Sequence, residues 1–98
     1  MSTNRHSRII AVLVEAKYPL DIVRLTAVIN ECFSRDYSPS IIGGDVKVFI
    51  VEGLVKIDDN KCFSITGLGM VCVDSYVEEA RSVIRKAMSR GERQAKQA

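Results

Sequence analysis

The chain has 98 residues, of which 47 % are hydrophobic and 27 % are charged, and its formal net charge is +2. This length leaves room for one domain with a modest core, and the composition excludes a disordered chain. The weak positive charge is lower than expected for a dedicated nucleic-acid binder.

Targeting and metal-binding signals are missing from the sequence. The longest apolar run, residues 9–14, is too short to cross a bilayer, and the N-terminus lacks the apolar core of a signal peptide. We therefore predict a cytoplasmic protein with no membrane partner. The chain has three cysteines, Cys32, Cys62 and Cys72, which form no CxxC pair, and it has a single histidine. We therefore predict reduced thiols, no metal site and no cofactor.

Two helices are predicted in the first third of the chain. Residues 1–6 are polar and are predicted to be disordered. The first helix, over residues 7–16, is apolar almost all round, so another element has to cover part of it. Pro19 disfavours helical geometry before it, and Asp21 caps a second helix over residues 21–33 with one apolar stripe.

A third helix is predicted to begin at Ser38-Pro39, because serine caps a helix and proline suits its first turn. Its interior contains Gly43-Gly44, and each glycine costs a helix about 1 kcal/mol relative to alanine. Two interpretations follow. Either the helix covers residues 39–52 and the glycines let another backbone come close, or the regular helix begins only at Asp45. The first is favoured, because the apolar register is continuous across the glycines.

The pattern then changes from helical to alternating. Strands are predicted over residues 54–57 and 62–65, with the polar residues 58–61 as a tight turn. Gly53 ends the preceding helix, and Thr66 caps a last helix over residues 66–89. The polar tail, residues 90–98, is predicted to be disordered.

The sequence EGLV, the hairpin and the sequence ITGLG, following the third helix, resemble the winged-helix family of helix-turn-helix domains over roughly residues 7–75. The resemblance implies an α+β, mainly α fold: a three-helix core and a two-stranded wing within residues 7–67. Residues 68–89 would add a long C-terminal dimerisation helix. Leu20 is expected to pair with the wing as a short extended segment. The predicted core consists of Leu13, Leu25, Val28, Ile29, Val46, Phe49, Leu54, Phe63 and Ile65.

The resemblance also implies binding to double-stranded DNA, with the third helix in the major groove and the wing along the backbone. The positions that match this geometry are Arg35, Ser38, Ser40, Gly43, Lys47, Val48, Lys56 and Lys61. The outward face of the third helix is small and aliphatic, and the wing tip holds Asp58 and Asp59. These departures from a DNA-reading pattern support an alternative, a protein partner bound at Val48 and Val51.

The last helix carries an apolar stripe sustained over about two heptads, which predicts a homodimer. Its interface residues are Val73, Tyr76, Val77, Ala80 and Ile84. No pairing of a general acid with a general base is evident, so an enzyme is not predicted. The sequence thus predicts a dimeric winged-helix DNA-binding protein, a small transcriptional regulator. The alternative is a protein-interaction module: an adaptor, a complex subunit or an inhibitor of a larger machine.

Overall fold

The computed structural model describes residues 4–97, with side chains for residues 4–89. The described residues form five helices and one antiparallel hairpin, so the fold is α+β and mainly α, as predicted. None of the helices in this part of the chain combines the length and the apolarity needed to span a bilayer. The elements in chain order are α1 (Arg5–Glu15), α2 (Ile22–Phe33), α3 (Pro39–Val51), β1 (Val55–Ile57), β2 (Phe63–Ile65), α4 (Gly67–Val71) and α5 (Ser75–Gln97).

Helix α1 begins two residues earlier than predicted. The side chain of Asn4 accepts a hydrogen bond from the backbone N–H of Ser7 at 2.7 Å, which caps the helix before Arg5. The prediction that residues 1–6 are disordered is therefore wrong for Arg5 and His6, and residues 1–3 lie outside the described part of the chain.

The centre of the core is α1 itself. Its five consecutive residues 9–13 are at most 8 % exposed, because α2, α3, β2 and α5 all pack against this helix. The sequence predicted that another element must cover its apolar excess. Much of that cover is α5 of the same chain.

The first interpretation of α3 is confirmed, since the helix runs through both glycines. The reason given for them is wrong. A Cβ atom at Gly43 would be 3.7 Å from Cδ1 of Ile22, an ordinary side-chain contact, and a Cβ atom at Gly44 would face open space. Gly53 ends the helix as predicted. Its φ of 80° is left-handed, and the next residue, Leu54, donates its N–H to the carbonyl of Phe49 at 2.9 Å.

The hairpin is paired as the alternating pattern predicts, with Val55 opposite Ile65 and Ile57 opposite Phe63. Leu20 forms the predicted bridge. It exchanges two backbone hydrogen bonds with Phe63, of 3.0 and 2.7 Å, and so links the segment after α1 to the hairpin.

Most of the predicted core is confirmed. Leu13, Leu25, Ile29, Val46, Phe49 and Phe63 are buried, whereas Val28, Leu54 and Ile65 are half-buried at its edge.

The single helix predicted over residues 66–89 is divided in two. Thr66 caps α4, but α4 ends at Val71 and a second cap follows: the side chain of Asp74 accepts the N–H of Val77 at 3.0 Å. In place of the disordered tail predicted over residues 90–98, the structure continues α5 through Gln97, and Ala98 lies outside the described residues. The tail is rich in strong helix formers, which propagate a helix already held by packing.

An ion-pair network holds α5 on the end of α1. Oε1 of Glu15 accepts from Nε of Arg81 at 2.6 Å and lies 2.9 Å from Nη2 of Arg85. Partial burial by itself raises the pKa of Glu15. The hydrogen bonds from the two arginines outweigh burial, so the pKa of Glu15 lies below its ordinary value of 4.5.

A substitution at Gly69 tests how closely α4 packs against Leu54 and Ile65. A Cβ atom there would lie 2.3 Å from the backbone oxygen of Leu54 and 2.6 Å from Cδ1 of Ile65. We expect Gly69→Ala to lower the free energy of unfolding by about 1–3 kcal/mol, measured by urea denaturation, because the clash forces backbone to move. Gly44→Ala is the matched control and should stabilise by up to about 1 kcal/mol. Equal effects of the two substitutions would contradict this packing.

The Glu15 network predicts a dependence of stability on pH. A carboxyl group whose pKa is depressed by folding contributes stability above its unfolded pKa and loses it as pH falls through the folded pKa. We expect Glu15→Gln to lower the free energy of unfolding by about 1 kcal/mol at neutral pH. The difference from wild type should vanish well below pH 4.5. Glu79→Gln, at an exposed position of α5, is the control, and a pH-independent deficit in Glu15→Gln would argue against the network.

Candidate functional site

The turn between α2 and α3 sets the position of α3. Oδ1 of Asn30 accepts the backbone N–H of Tyr37 at 2.9 Å, and its Nδ2 donates to the carbonyl of Tyr37 at 3.0 Å. Nη1 of Arg8 donates to the Tyr37 hydroxyl at 2.7 Å, and its guanidinium lies 5.4 Å from the ring centre of Phe33. Arg8 is only 6 % exposed. Nothing in the sequence pattern around Arg8 indicates this role, because Arg8 looks like an ordinary surface charge.

Helix α3 presents one face to the core and one to solvent. Ile42, Val46 and Phe49 are buried. The exposed residues recur at three- and four-residue spacing: Ser40, Ile41, Gly44, Lys47, Val48 and Val51. We call this set the outward face of α3.

Five of the predicted DNA-binding residues lie on α3 or at its cap. Ser40, Lys47 and Val48 are on the outward face as expected. Ser38 is exposed, but its Oγ accepts the N–H of Ile41 at 3.3 Å and so caps the helix. Gly43 is a correction, because its position faces Ile22 of α2 and not solvent.

The remaining predicted DNA-binding residues are exposed on flanking segments. Arg35 lies in the turn before α3, Lys56 on β1 and Lys61 at the end of the hairpin turn. Lys61 adopts a left-handed φ of 60°. The carboxylate of Asp58 is used within this turn, where Oδ1 accepts the N–H groups of Asn60 at 2.8 Å and of Cys62 at 3.0 Å.

The acidic residue nearest in sequence to Lys47 is already paired. Asp45 forms an ion pair with Arg5, and its carboxylate also lies 3.3 Å from Nε2 of His6. The side chain of Asp45 is 13 % exposed. Among residues 4–89, Lys47 is then the one charged side chain on the outward face of α3.

The apolar stripe that predicts a dimer is covered within one chain. Val77, Ala80 and Ile84 are at most 5 % exposed, because α5 packs against α1. Val73 is half-buried, and Tyr76 is 37 % exposed at the edge. This is a correction to the reasoning about the interface: a stripe already buried on α1 does not need a second copy to cover it.

A different apolar surface is exposed where α3 ends and α4 begins. Thr66 Oγ1 donates to the carbonyl of Gly53 at 2.6 Å, and Cδ2 of Leu68 lies 3.6 Å from the Cβ position of Gly53, so the two helices meet there. The inward residue of α4 is Gly69, and its larger side chains face solvent. We define the α3–α4 patch as Val48, Val51, Leu68, Met70 and Val71, whose exposed fractions are 50, 88, 53, 46 and 82 %.

A cavity of about 340 Å³ lies on another side of the molecule, between α1, α2 and α5. Val12 and Ile84 form its buried wall, with half-buried Leu20 and Val28 beside them. The full lining is Val12, Glu15, Ala16, Lys17, Tyr18, Leu20, Val28, Glu31, Cys32, Ile84, Ala87 and Met88.

The cysteines are free thiols in the described chain. Burial raises the pKa of Cys32, and partial desolvation together with Asp58 raises the pKa of Cys62, so both thiols are protonated and weakly nucleophilic at neutral pH. Among the described residues, no group of three or more His, Cys, Asp or Glu side chains is arranged to hold a metal ion.

Comparison of the chain with models of protein families, with curated proteins and with solved structures gave no significant match.

Proposed function

We propose that the chain is a winged-helix module that binds double-stranded DNA, with α3 as the groove-facing helix and the β1–β2 hairpin as the wing. The order of the elements and the bridge between Leu20 and Phe63 support the winged-helix assignment. The observation that carries the functional proposal is the uncovered face of α3, with Lys47 near its middle and the exposed lysines of the hairpin beyond its end.

The bonding of two nearby acids, Asp45 and Asp58, supports this proposal. Repulsion between phosphates and carboxylates is the main electrostatic objection to a chain of net charge +2. The positive charge of Arg5 compensates the negative charge of Asp45. The carboxylate of Asp58 accepts hydrogen bonds from two backbone N–H groups of the hairpin turn, and these bonds favour a carboxylate that lies against the turn and does not project toward a ligand. Lys47, Lys56 and Lys61 are then available for phosphates.

The proposed contact is one of charge and shape. Lysine is a flexible point charge without the bidentate fork by which arginine reads guanine. The other side chains of the outward face are small or aliphatic, and of these only Ser40 can hydrogen-bond a base edge. The module would therefore bind duplexes of many sequences with similar affinity.

Replacing the lysines tests the DNA-binding proposal. We expect Lys47→Ala, Lys56→Ala and Lys61→Ala each to weaken binding equally on unrelated duplexes, and to lower the slope of log K against log salt by about one. Fluorescence anisotropy across a salt series measures both effects.

Lys86→Ala is the matched control, since Lys86 is an exposed lysine on α5, outside the proposed contact surface. A triple lysine variant that binds as well as wild type, or a wild type that does not bind, would contradict the proposal.

A second candidate function is contact with another protein, and the α3–α4 patch is the observation that favours it. Large apolar side chains clustered on a surface mark interaction sites more often than isolated ones do. Val48 and Val51, the residues predicted for a protein partner, are both in this patch.

The occupant we propose for the α3–α4 patch is a second copy of the chain. Residues 62–73 contain no charged residue and are the longest such stretch in the sequence. In a twofold interface each side chain meets the same surface of its partner, so a patch with charges of one sign would repel itself. An uncharged apolar patch avoids that repulsion.

Charged substitutions test this interface. We expect wild type to be dimeric in sedimentation velocity at micromolar concentration. Met70→Glu together with Val71→Glu should weaken dimerisation about a hundredfold or more, because each buries an unpaired charge. Val23→Glu is the control, since Val23 is 66 % exposed on α2. A monomeric wild type would refute the interface and leave the DNA-binding test unaffected.

A further inference from the structure

The cavity between α1, α2 and α5 is open to solvent on one side, where its lining includes the exposed residues Lys17, Tyr18 and Met88. Its volume is about 340 Å³. Two of its lining residues, Ala16 and Ala87, have side chains too short to fill it. Volumes of roughly 300–1,000 Å³ are typical of sites for small molecules.

The chemistry of the lining selects an uncharged, apolar ligand. The buried wall is aliphatic, and the Cys32 thiol is held protonated because burial raises its pKa. Of the charged lining residues, Glu15 is already bonded to two arginines, and Lys17 and Glu31 have opposite signs and are exposed. A charged ligand would lose its hydration on this wall without gaining a buried partner.

We propose that this cavity is a binding site for an uncharged apolar molecule, aromatic or aliphatic, on the order of 12 heavy atoms. The size follows by proportion from a cavity of about 150 Å³ that holds benzene. Because α5 forms one wall, a ligand bound there also fastens α5 to α1 and α2. The site is independent of the DNA contact, since the described lining contains no residue of α3 or the hairpin.

Indole is a suitable probe because it is uncharged and slightly smaller than a ligand of the proposed size. The chain contains no tryptophan, so the fluorescence of indole reports its environment directly. We expect a saturable blue shift with one indole per chain and a rise in Tm. The anion indole-3-acetate and the cation tryptamine should bind about tenfold more weakly or worse, because their charges lose hydration.

Filling the cavity provides the matched variants. Ala87→Phe should abolish indole binding while the helical circular dichroism is retained, whereas Ala27→Phe, at an exposed position of α2, should bind like wild type. Cysteine protection gives an independent measurement that needs no substitution. Saturating indole should slow alkylation of Cys32, which lines the cavity, and leave the exposed Cys72 unchanged. Unsaturable binding, equal binding by Ala87→Phe, or slowing of both cysteines alike would overturn the proposal.

Discussion

The burial of α1 on every side is the constraint on which the rest of the structure depends. Residues 9–13 of this helix are all apolar, so exposing any of its faces to water would destabilise the fold. The cost is about 25 cal/mol for each Å² of exposed apolar surface. The three-helix arrangement with its hairpin covers part of this helix, and α5 covers another part. The long C-terminal helix is therefore part of the domain core, and its apolar stripe belongs to the monomer.

Because α5 is packed on α1, its apolar stripe is not available for contact with other molecules. The stripe of α5 is buried, whereas α3 and α4 expose large apolar residues: Ile41, Val48, Val51, Leu68, Met70 and Val71. Polar side chains inside the domain serve to orient α3: Asn30 and buried Arg8 hold Tyr37, and Arg5 holds Asp45. The outward face of α3 is thus presented by a rigid support, although it carries a single charge itself. In the proposed contact with DNA, this face would act through its shape and through attraction to phosphates, and not by reading bases.

Local sequence signals predicted much of this architecture because their physical causes are local. A serine cap with proline after it, a glycine at the left-handed position after α3, and the change from helical to alternating period each depend on a few adjacent residues. These signals gave three helices and both strands to within a few residues. Asn4 and Asp74 are local signals of the same kind, since the side chain of each caps a helix start that the predicted boundaries did not include. The same local patterns predicted that the candidate contact residues are exposed. Gly43 is the exception, because the surface that it faces depends on how α3 packs on α2.

The sequence by itself determined the order of the elements as far as β2, the apolar excess of α1 and the exposed, sparsely charged face of α3, because periodicity and capping are properties of short segments. Only the tertiary structure decided what covers α1. An apolar stripe has the same pattern whether its partner is a helix of its own chain or one of another chain, so Val77, Ala80 and Ile84 could not reveal their partner. The same holds for Arg8 and Asp45, whose charges look like surface charges until folding brings Tyr37 and Arg5 to them. The cavity has no sequence signature at all, because it arises where α5 packs against α1 and α2, from which it is far apart in the chain, and leaves space around small side chains.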